Sequence, residues 1–271
     1  MVAVLKHVIW IGGPPRSGKT SVATRLVRRH GLRWYNADTR TWAHRDRALA
    51  AGNRAAARWE ALAPEQRWDV PAEDLLAMSL HRERGPMVID DLRELPTAPL
   101  VVAEGSSLPA SAVSSGIADR SRAIWLVPSA AFQRAQLEAR GAFAGARRLF
   151  LALASLIERE ATEHGAPIFP VDGSKGVEET TDAVERLFAD ALAAGPCAET
   201  LDERRALLRE ANEASAAQVR AYYARPWADG DPETVVRNFV CECGDPACDV
   251  DLSLPVGDLA AGGPALAPGH R

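Results

Sequence analysis

The segment 13–20, Gly-Pro-Pro-Arg-Ser-Gly-Lys-Thr, constrains the fold of this chain more than any other stretch. It matches the pattern G-x-x-x-x-G-K-[ST], in which a glycine-rich turn presents backbone N–H groups to phosphate oxygens. The apolar, β-branched run 8–11 precedes it, and Val22, Leu26 and Val27 follow at helical spacing. We therefore predict a strand, a phosphate-binding loop and a helix, in that order.

Each residue type in this loop has its own chemical reason. Gly13 and Gly18 let the backbone curl around phosphate oxygens, and Lys19 would reach the β- and γ-phosphates. The hydroxyl of Thr20 is the expected protein ligand of Mg²⁺, which keeps several waters and needs few protein ligands. The expected nucleotide contacts here are Gly13, Pro14, Pro15, Arg16, Ser17, Gly18, Lys19, Thr20 and Ser21.

Composition bounds the class of protein. A chain of 271 residues with 47% hydrophobic content can bury a full core and leaves room for an extension. Its net charge of −4 supplies no basic field, so nucleic acid is not an expected partner. No apolar stretch is long enough to span a bilayer, so we expect a cytoplasmic protein whose four cysteines are reduced or metal-bound.

A second strand predicted over residues 32–37 leaves Asp38 at its carboxyl end. In open α/β sheets ligands gather at that edge, so Asp38 is a candidate to accept a proton from a substrate hydroxyl. Alternatively, Asp38 caps the following helix. Residues 39–84 have a helical pattern rich in Trp, Arg and His, which either lines a substrate pocket or forms a solvated helix pair; His44 alone is expected to be structural.

Three further runs, 99–103, 123–127 and 167–171, are typical of strands, whereas 87–92 fits a strand or a helical turn. Five strands with intervening helices predict a doubly wound parallel α/β sheet. Glu104, at the end of the third strand, would hold a magnesium-bound water or a substrate group, or serve as a cap or turn residue.

A glycine-bounded break at 141–145 follows a helix that bears Arg134 and Arg140. Closure over a transferring phosphoryl group requires cations and the exclusion of water, so this segment fits a lid. The alternative is a polar helix surface followed by an ordinary turn.

Residues 3–194 resemble the P-loop small-molecule kinases, a group that includes shikimate, gluconate, adenylate and chloramphenicol kinases. The resemblance rests on residues 13–20, on Asp38, on the run 125–128 that leads to Arg134 and Arg140, and on residues 171–174. The whole chain also resembles uncharacterised ATP-binding proteins of GC-rich bacteria that share its C-terminal segment. An arginine pattern for a second nucleotide is lacking, so the acceptor stays open.

The resemblance implies the strand order 2-3-1-4-5 and several roles. By this resemblance Asp38 engages the acceptor hydroxyl, and Arg134 and Arg140 clamp phosphates. The loop that passes the adenine would consist of Asp172, Gly173 and Ser174.

We predict a kinase-like unit over residues 1–195 and a helical, cysteine-rich extension over 196–271. Cys241, Cys243 and Cys248 lie within eight residues around a Gly-Asp-Pro turn, as in a zinc knuckle with tetrahedral zinc. The fourth ligand is either His270 or Cys197; alternatively, the cysteines are free in a flexible tail. The tail beyond residue 239 contains too little apolar surface to order itself, so we expect a structural zinc to order it.

The expected function is an ATP- and Mg²⁺-dependent kinase that phosphorylates a hydroxyl of a small molecule. The alternative is a nucleotide-binding regulator or ATPase whose zinc tail recruits a protein or nucleic acid. Asp38 separates the two hypotheses, because only phosphoryl transfer to an acceptor needs a carboxylate on the acceptor side.

Overall fold

The computed structural model describes residues 3–260 and 263–271. Its strands are β1 (Val8–Gly12), β2 (Arg33–Asn36), β3 (Val101–Gly105), β4 (Ala123–Pro128), β5 (Ile168–Val171), β6 (Val236–Val240) and β7 (Asp251–Pro255). Its helices are α1 (Lys19–His30), α2 (Thr41–Ala50), α3 (Arg54–Ala61), α4 (Ala72–Ser79), α5 (His81–Glu94), α6 (Ser111–Ser114), α7 (Ala130–Ala139), α8 (Ala144–Glu163), α9 (Val177–Leu187), α10 (Ala189–Ala194), α11 (Leu201–Tyr223) and α12 (Val256–Ala260).

The first five strands form one parallel sheet in the order β2-β3-β1-β4-β5. This confirms the predicted α/β class and strand order, which is consistent with a P-loop-like fold. Strands β1, β3 and β4 are buried along their whole length, as expected when helices cover both faces of a parallel sheet. Ile11 pairs with Glu104, which places that carboxylate beside the start of the loop at 13–20.

Alternate residues of β1 contribute to two buried apolar clusters, one on each face of the sheet. Val8 and Trp10 pack with residues of α4, α5 and α8. Ile9 and Ile11 pack with residues of α1, α9 and α11. The sheet is therefore a layer between two sets of helices, and the loop at 13–20 lies at its carboxyl edge.

Residues 87–92, for which the sequence pattern fitted either a strand or a helical turn, lie in α5. The helix continues there because Val88 and Leu92, four residues apart, are both fully buried in the cluster that contains Trp10. In the described residues, every helix is too short or too polar to cross a bilayer.

The C-terminal segment begins with α11, which is capped by Thr200 and Glu203 in a reciprocal capping box. An antiparallel hairpin of β6 and β7 follows; the sequence indicated only its first strand. A small core of α11, hairpin and α12 residues orders this region, which differs from our expectation of too little apolar surface. Its buried members are Ala216, Val219, Phe239, Val256, Leu259 and Ala265.

The C-terminal segment also contacts the sheet. Leu208 of α11 and Val240 of β6 belong to the same buried cluster as Ile9 and Val22. The division into units at residues 195 and 196 stays a prediction.

Candidate functional site

The loop at 13–20 connects β1 to α1, and its glycines are required by its shape. Gly13 and Gly18 have φ of 144° and 86°, in the region that favours glycine. A Cβ on Gly13 would lie 2.4 Å from the carbonyl oxygen of Leu126, so that glycine also permits close packing against β4. A Cβ on Gly18 would meet nothing within 4 Å, so the start of α1 is open to a ligand.

The cations of the loop are positioned for an anion. Lys19 is 5% exposed, and its charge faces the buried Glu104. Burial and the nearby charge of Arg140 lower the pKa of Arg16. Two guanidinium groups that repel each other are stabilised by an anion between them. The hydroxyl of Ser17 is buried without a hydrogen-bond partner in the described residues, so it too is available to a phosphate oxygen.

The loop opens into a cleft of about 450 Å³. Its lining is Arg16, Ser17, Gly18, Lys19, Thr20, Ser21, Val22, Phe132, Gln136, Arg140, Val171, Lys175, Val177 and Thr180. The predicted residues from Arg16 to Ser21 and Arg140 therefore meet here. Arg134 is exposed on α7 and does not line the cleft, whereas Val171 and Lys175 flank the predicted adenine loop.

Six cleft residues were not predicted as ligand contacts: Phe132, Gln136, Lys175, Val177, Thr180 and Val22. The first two had a detectable signal. Phe132 and Gln136 lie one turn apart on α7, and Arg140, the residue directly after the helix, continues the same face. Gly173 packs under the Phe132 ring, since a Cβ there would lie 2.8 Å from it.

Glu104 is fully buried at the end of β3, within the strand rather than in a cap or turn. Its Oε1 accepts a hydrogen bond of 3.2 Å from Thr20 Oγ1, and its Oε2 has no partner in the described residues. Burial raises the pKa of Glu104 to about 7, although the ammonium group of Lys19 acts in the opposite direction. Carboxylate and hydroxyl oxygens are hard ligands, so this pair fits a Mg²⁺ ion held directly or through water.

Asp38 lies in a 3₁₀ turn, Ala37–Arg40, directly after β2. The side chain of Asn36, rather than that of Asp38, caps this turn, and the start of α2 has no side-chain cap. Ser106 Oγ donates a hydrogen bond of 3.4 Å to Asp38 Oδ1. The capping role considered for Asp38 is therefore not found, and its charge adds to the rise in the pKa of Glu104.

A buried polar network lies behind Asp38. Arg84 Nε donates to His44 Nδ1 at 3.3 Å, so that nitrogen carries no proton and the proton is on Nε2. His44 Nε2 then donates to Asp91 Oδ2 at 2.9 Å, and Tyr35 donates to the same oxygen at 2.8 Å. Burial lowers the pKa of His44, in agreement with a neutral ring. His44 is thus structural. Arg84 Nη2 also donates to the carbonyl of Ala37 at 2.5 Å, which holds the guanidinium group next to Asp38.

In the Trp- and Arg-rich helices after Asp38, tryptophan and arginine side chains pack against the C-terminal segment. Arg67 lies 3.6 Å from the ring centroid of Trp227, and Arg45 lies over Trp42 and Trp59. Trp42 also contacts the rings of Tyr222 and Trp227. These residues therefore form a cation–π and aromatic cluster rather than the wall of an open pocket.

The candidate lid is a short connection between α7 and α8. Gly141 has φ of 63°, and Gly145 already belongs to α8. The ring of Phe143 packs edge-on against Trp68, 4.9 Å between centroids. The connection therefore contacts the helical segment 41–94 between β2 and β3, which we call the helical insertion. The movement of this segment stays a prediction.

Cys241, Cys243, Cys248 and His270 offer four ligand atoms that all lie within 4.8 Å of one another. His270 Nδ1 is 3.4 Å from the sulfur of Cys241 and 3.6 Å from that of Cys248. Cys197 is exposed and lies outside this group in the part of the chain that the structure describes. The histidine is therefore the fourth member.

The chemistry of this donor set fits a soft divalent metal. Burial raises the pKa of Cys248 to about 12, and the two neighbouring thiols add to the rise. A bound cation reverses that balance, because a coordinating thiol is deprotonated. Three sulfurs and one imidazole nitrogen match the composition of structural zinc sites.

Glu242, which is buried and lies between Cys241 and Cys243 in the sequence, holds the segment that leads to His270. Its carboxylate accepts hydrogen bonds from Arg209 and Asn212 of α11, each at 2.7 Å. Its backbone N–H donates to the carbonyl of Ala265 at 2.7 Å, and the N–H of Ala265 donates back to the carboxylate. These bonds fold the terminal segment onto α11 and so bring His270 over the cysteines.

No protein-family model matches this chain, and no curated protein matches its sequence.

Proposed function

We propose that this protein is a kinase that uses ATP and Mg²⁺ to phosphorylate a hydroxyl group of a small molecule. The observation that carries the proposal is the position of Asp38. This carboxylate follows β2, contacts Ser106 and caps no helix. Glu104 lies near the end of the neighbouring strand β3, where it contacts Thr20 at the start of α1.

The side chains of the cleft and the adjacent buried Glu104 have separate roles in this proposal. Lys19, Arg16 and Arg140 would hold phosphate oxygens, and Thr20 and Glu104 would hold Mg²⁺, which would neutralise charge on the phosphates. The loop Asp172, Gly173 and Ser174 passes the adenine.

Asp38 acts on the acceptor. As the acceptor oxygen bonds to the γ-phosphorus and the bond from that phosphorus to the β–γ bridging oxygen breaks, the Asp38 carboxylate takes the hydroxyl proton and ADP leaves. Ser106 orients the carboxylate through its hydrogen bond. A small-molecule acceptor is thus the proposed partner.

We further propose that Cys241, Cys243, Cys248 and His270 bind one structural zinc ion. Four protein ligands leave no open coordination position, so the metal would order the chain and take no part in phosphoryl transfer.

The experiment is a screen of hydroxyl-bearing metabolites for ADP release, with the phosphorylated product identified by mass spectrometry. The expected result is acceptor-dependent ADP release that Asp38→Asn abolishes. ADP release that is equally fast without any acceptor would support the ATPase or regulator alternative instead.

A further inference from the structure

Helix α1 connects the phosphate-binding loop to the segment that follows the last cysteine. The helix begins at Lys19, and Arg28 lies two and a half turns further on, only 5% exposed. Its Nη2 donates to the carbonyl of Val250 at 3.1 Å and pairs with Asp251 Oδ1 at 2.6 Å. The far end of the helix is thus attached to residues two and three positions after Cys248.

The carbonyl of Val250 joins the helix to the cysteines. It accepts a hydrogen bond from Arg28 and a second one, of 3.1 Å, from the backbone N–H of Cys241. A neighbouring pair, Arg25 with Asp249 at 3.5 Å, lies on the same side of the helix. A change in the cysteine segment therefore moves the acceptors of a buried guanidinium group.

Helix α11 completes the contact from the other side. Arg204 donates to the backbone carbonyl of Arg28 at 2.9 Å. Val240, directly before Cys241, is buried in the same apolar cluster as Val22 and Leu26 of α1. The end of α1 is consequently packed between the cysteine segment and the helix that carries it.

The energetic consequence follows from the burial of Arg28. The side chain of its partner Asp251 is 53% exposed, so the stabilisation comes from keeping hydrogen-bond acceptors on a buried guanidinium group. For this reason α1 and the segment 241–251 favour order in one another. The apolar core orders the β6–β7 hairpin, and a metal on the cysteines would in addition fix the connection between its strands, which ends at Val250 and Asp251. An ordered α1 holds Lys19 and the N–H groups at its start ready for phosphate, and a ligand pays less for binding to a site that is already ordered.

We propose that metal binding by the three cysteines and His270 tightens nucleotide binding at the loop, and that the contact of Arg28 with Asp251 and Val250 transmits this coupling. The inference rests on the zinc and nucleotide sites of the proposed function and not on the kinase reaction. By thermodynamic necessity, nucleotide must tighten metal binding by the same factor.

The test is calorimetry on the full chain, with MgADP titrated into zinc-loaded and chelator-stripped protein. Zinc affinity is measured by chelator competition with and without MgADP. We expect both affinities to rise by the same factor, at least about fivefold, which is the lower end of typical coupling. Far-UV circular dichroism shows whether stripped protein stays folded.

Two variants of acidic residues in the C-terminal segment test whether the coupling passes through the contact of Arg28 with Asp251. Asp251→Asn removes the charge that pairs with Arg28, whereas Asp258→Asn removes an exposed charge on α12 that forms no ion pair among the described residues. With zinc bound, we expect Asp251→Asn to weaken MgADP binding at least about threefold and Asp258→Asn to leave it unchanged. This arm holds even where stripped protein unfolds.

The outcomes separate the inference from the proposed function. Protein that binds zinc and MgADP with no mutual effect, and with equal MgADP affinity in both zinc-loaded variants, overturns the inference and leaves both sites standing. Protein that binds no zinc, or no MgADP, overturns the corresponding part of the proposed function. An equal loss in the two variants would show that the coupling does not pass through Arg28.

Discussion

At the scale of single residues, two carboxylates near the loop are held in different ways. Glu104 is fully buried against Thr20, whereas Asp38 is half-buried and contacts Ser106. A buried oxygen without a partner suits a cation, and a partly accessible carboxylate suits proton transfer to and from a substrate. The two carboxylates at this edge of the sheet therefore differ in burial and in hydrogen-bond partner.

Lys19→Ala should weaken ATP binding by about 1.5–3 kcal/mol, the net value of hydrogen bonds to charged groups. The fold should persist, because neighbouring loop geometry comes from Gly13 and Gly18. Calorimetry with MgATP and a thermal melt measure the two effects. Lys6→Ala is the control, since Lys6 is exposed before β1. Unchanged ATP affinity in Lys19→Ala would contradict a phosphate role for the loop.

Asp38→Asn should keep ATP affinity and lose about 10²–10⁴-fold in phosphoryl transfer, because an amide cannot accept the proton. Single-turnover transfer to the acceptor found in the screen measures this loss. Asp69→Asn, an exposed aspartate of the helical insertion, serves as the control. Transfer near the wild-type rate in Asp38→Asn would remove Asp38 from the mechanism.

At the scale of elements, α7 has one face toward the cleft and one toward solvent. Phe132, Gln136 and Arg140 line the cleft, while Arg134 is exposed on the same helix. The packing of Phe143 on Trp68 then connects the end of α7 to the helical insertion. This contact fixes the short connection that follows Arg140.

Arg140→Ala should weaken MgATP binding by about 1.5–3 kcal/mol, through loss of a charge-assisted phosphate contact. Arg134→Ala is the matched control and should change affinity by less than about 0.5 kcal/mol, as is usual for surface substitutions. The two affinities are compared by calorimetry. Equal losses would indicate that Arg134 also reaches the phosphates, as expected for a lid that closes further.

At the scale of the whole molecule, the C-terminal segment joins three parts of the chain. It contacts the helical insertion through Trp42 and Trp227, the sheet cluster through Leu208, and α1 through Asp251. Its own core and the cysteine cluster lie between these contacts. Ordering of this segment should therefore affect the stability of the protein well beyond residue 239.

Purified under reducing, chelator-free conditions, the protein should contain about one zinc ion per chain. His270→Ala should lose zinc to a chelator sooner than wild type and melt at a lower temperature, because one of the ligands is gone. Cys197→Ala, which changes an exposed cysteine outside the cluster, should match wild type in both. Metal analysis checks the content. Unchanged zinc retention in His270→Ala would remove His270 from the ligand set.

Local patterns in the sequence were enough for the loop at 13–20, the five sheet strands, Asp38 at a strand end and three closely spaced cysteines. These features depend on residue types within a few positions of one another, where hydrophobic period and turn chemistry act directly. Tertiary structure alone brought Arg84 next to Asp38, His270 rather than Cys197 to the cysteines, and Arg28 to Asp251. Such pairs are 22 to 223 residues apart, and only packing, which no local pattern encodes, determines which of them meet.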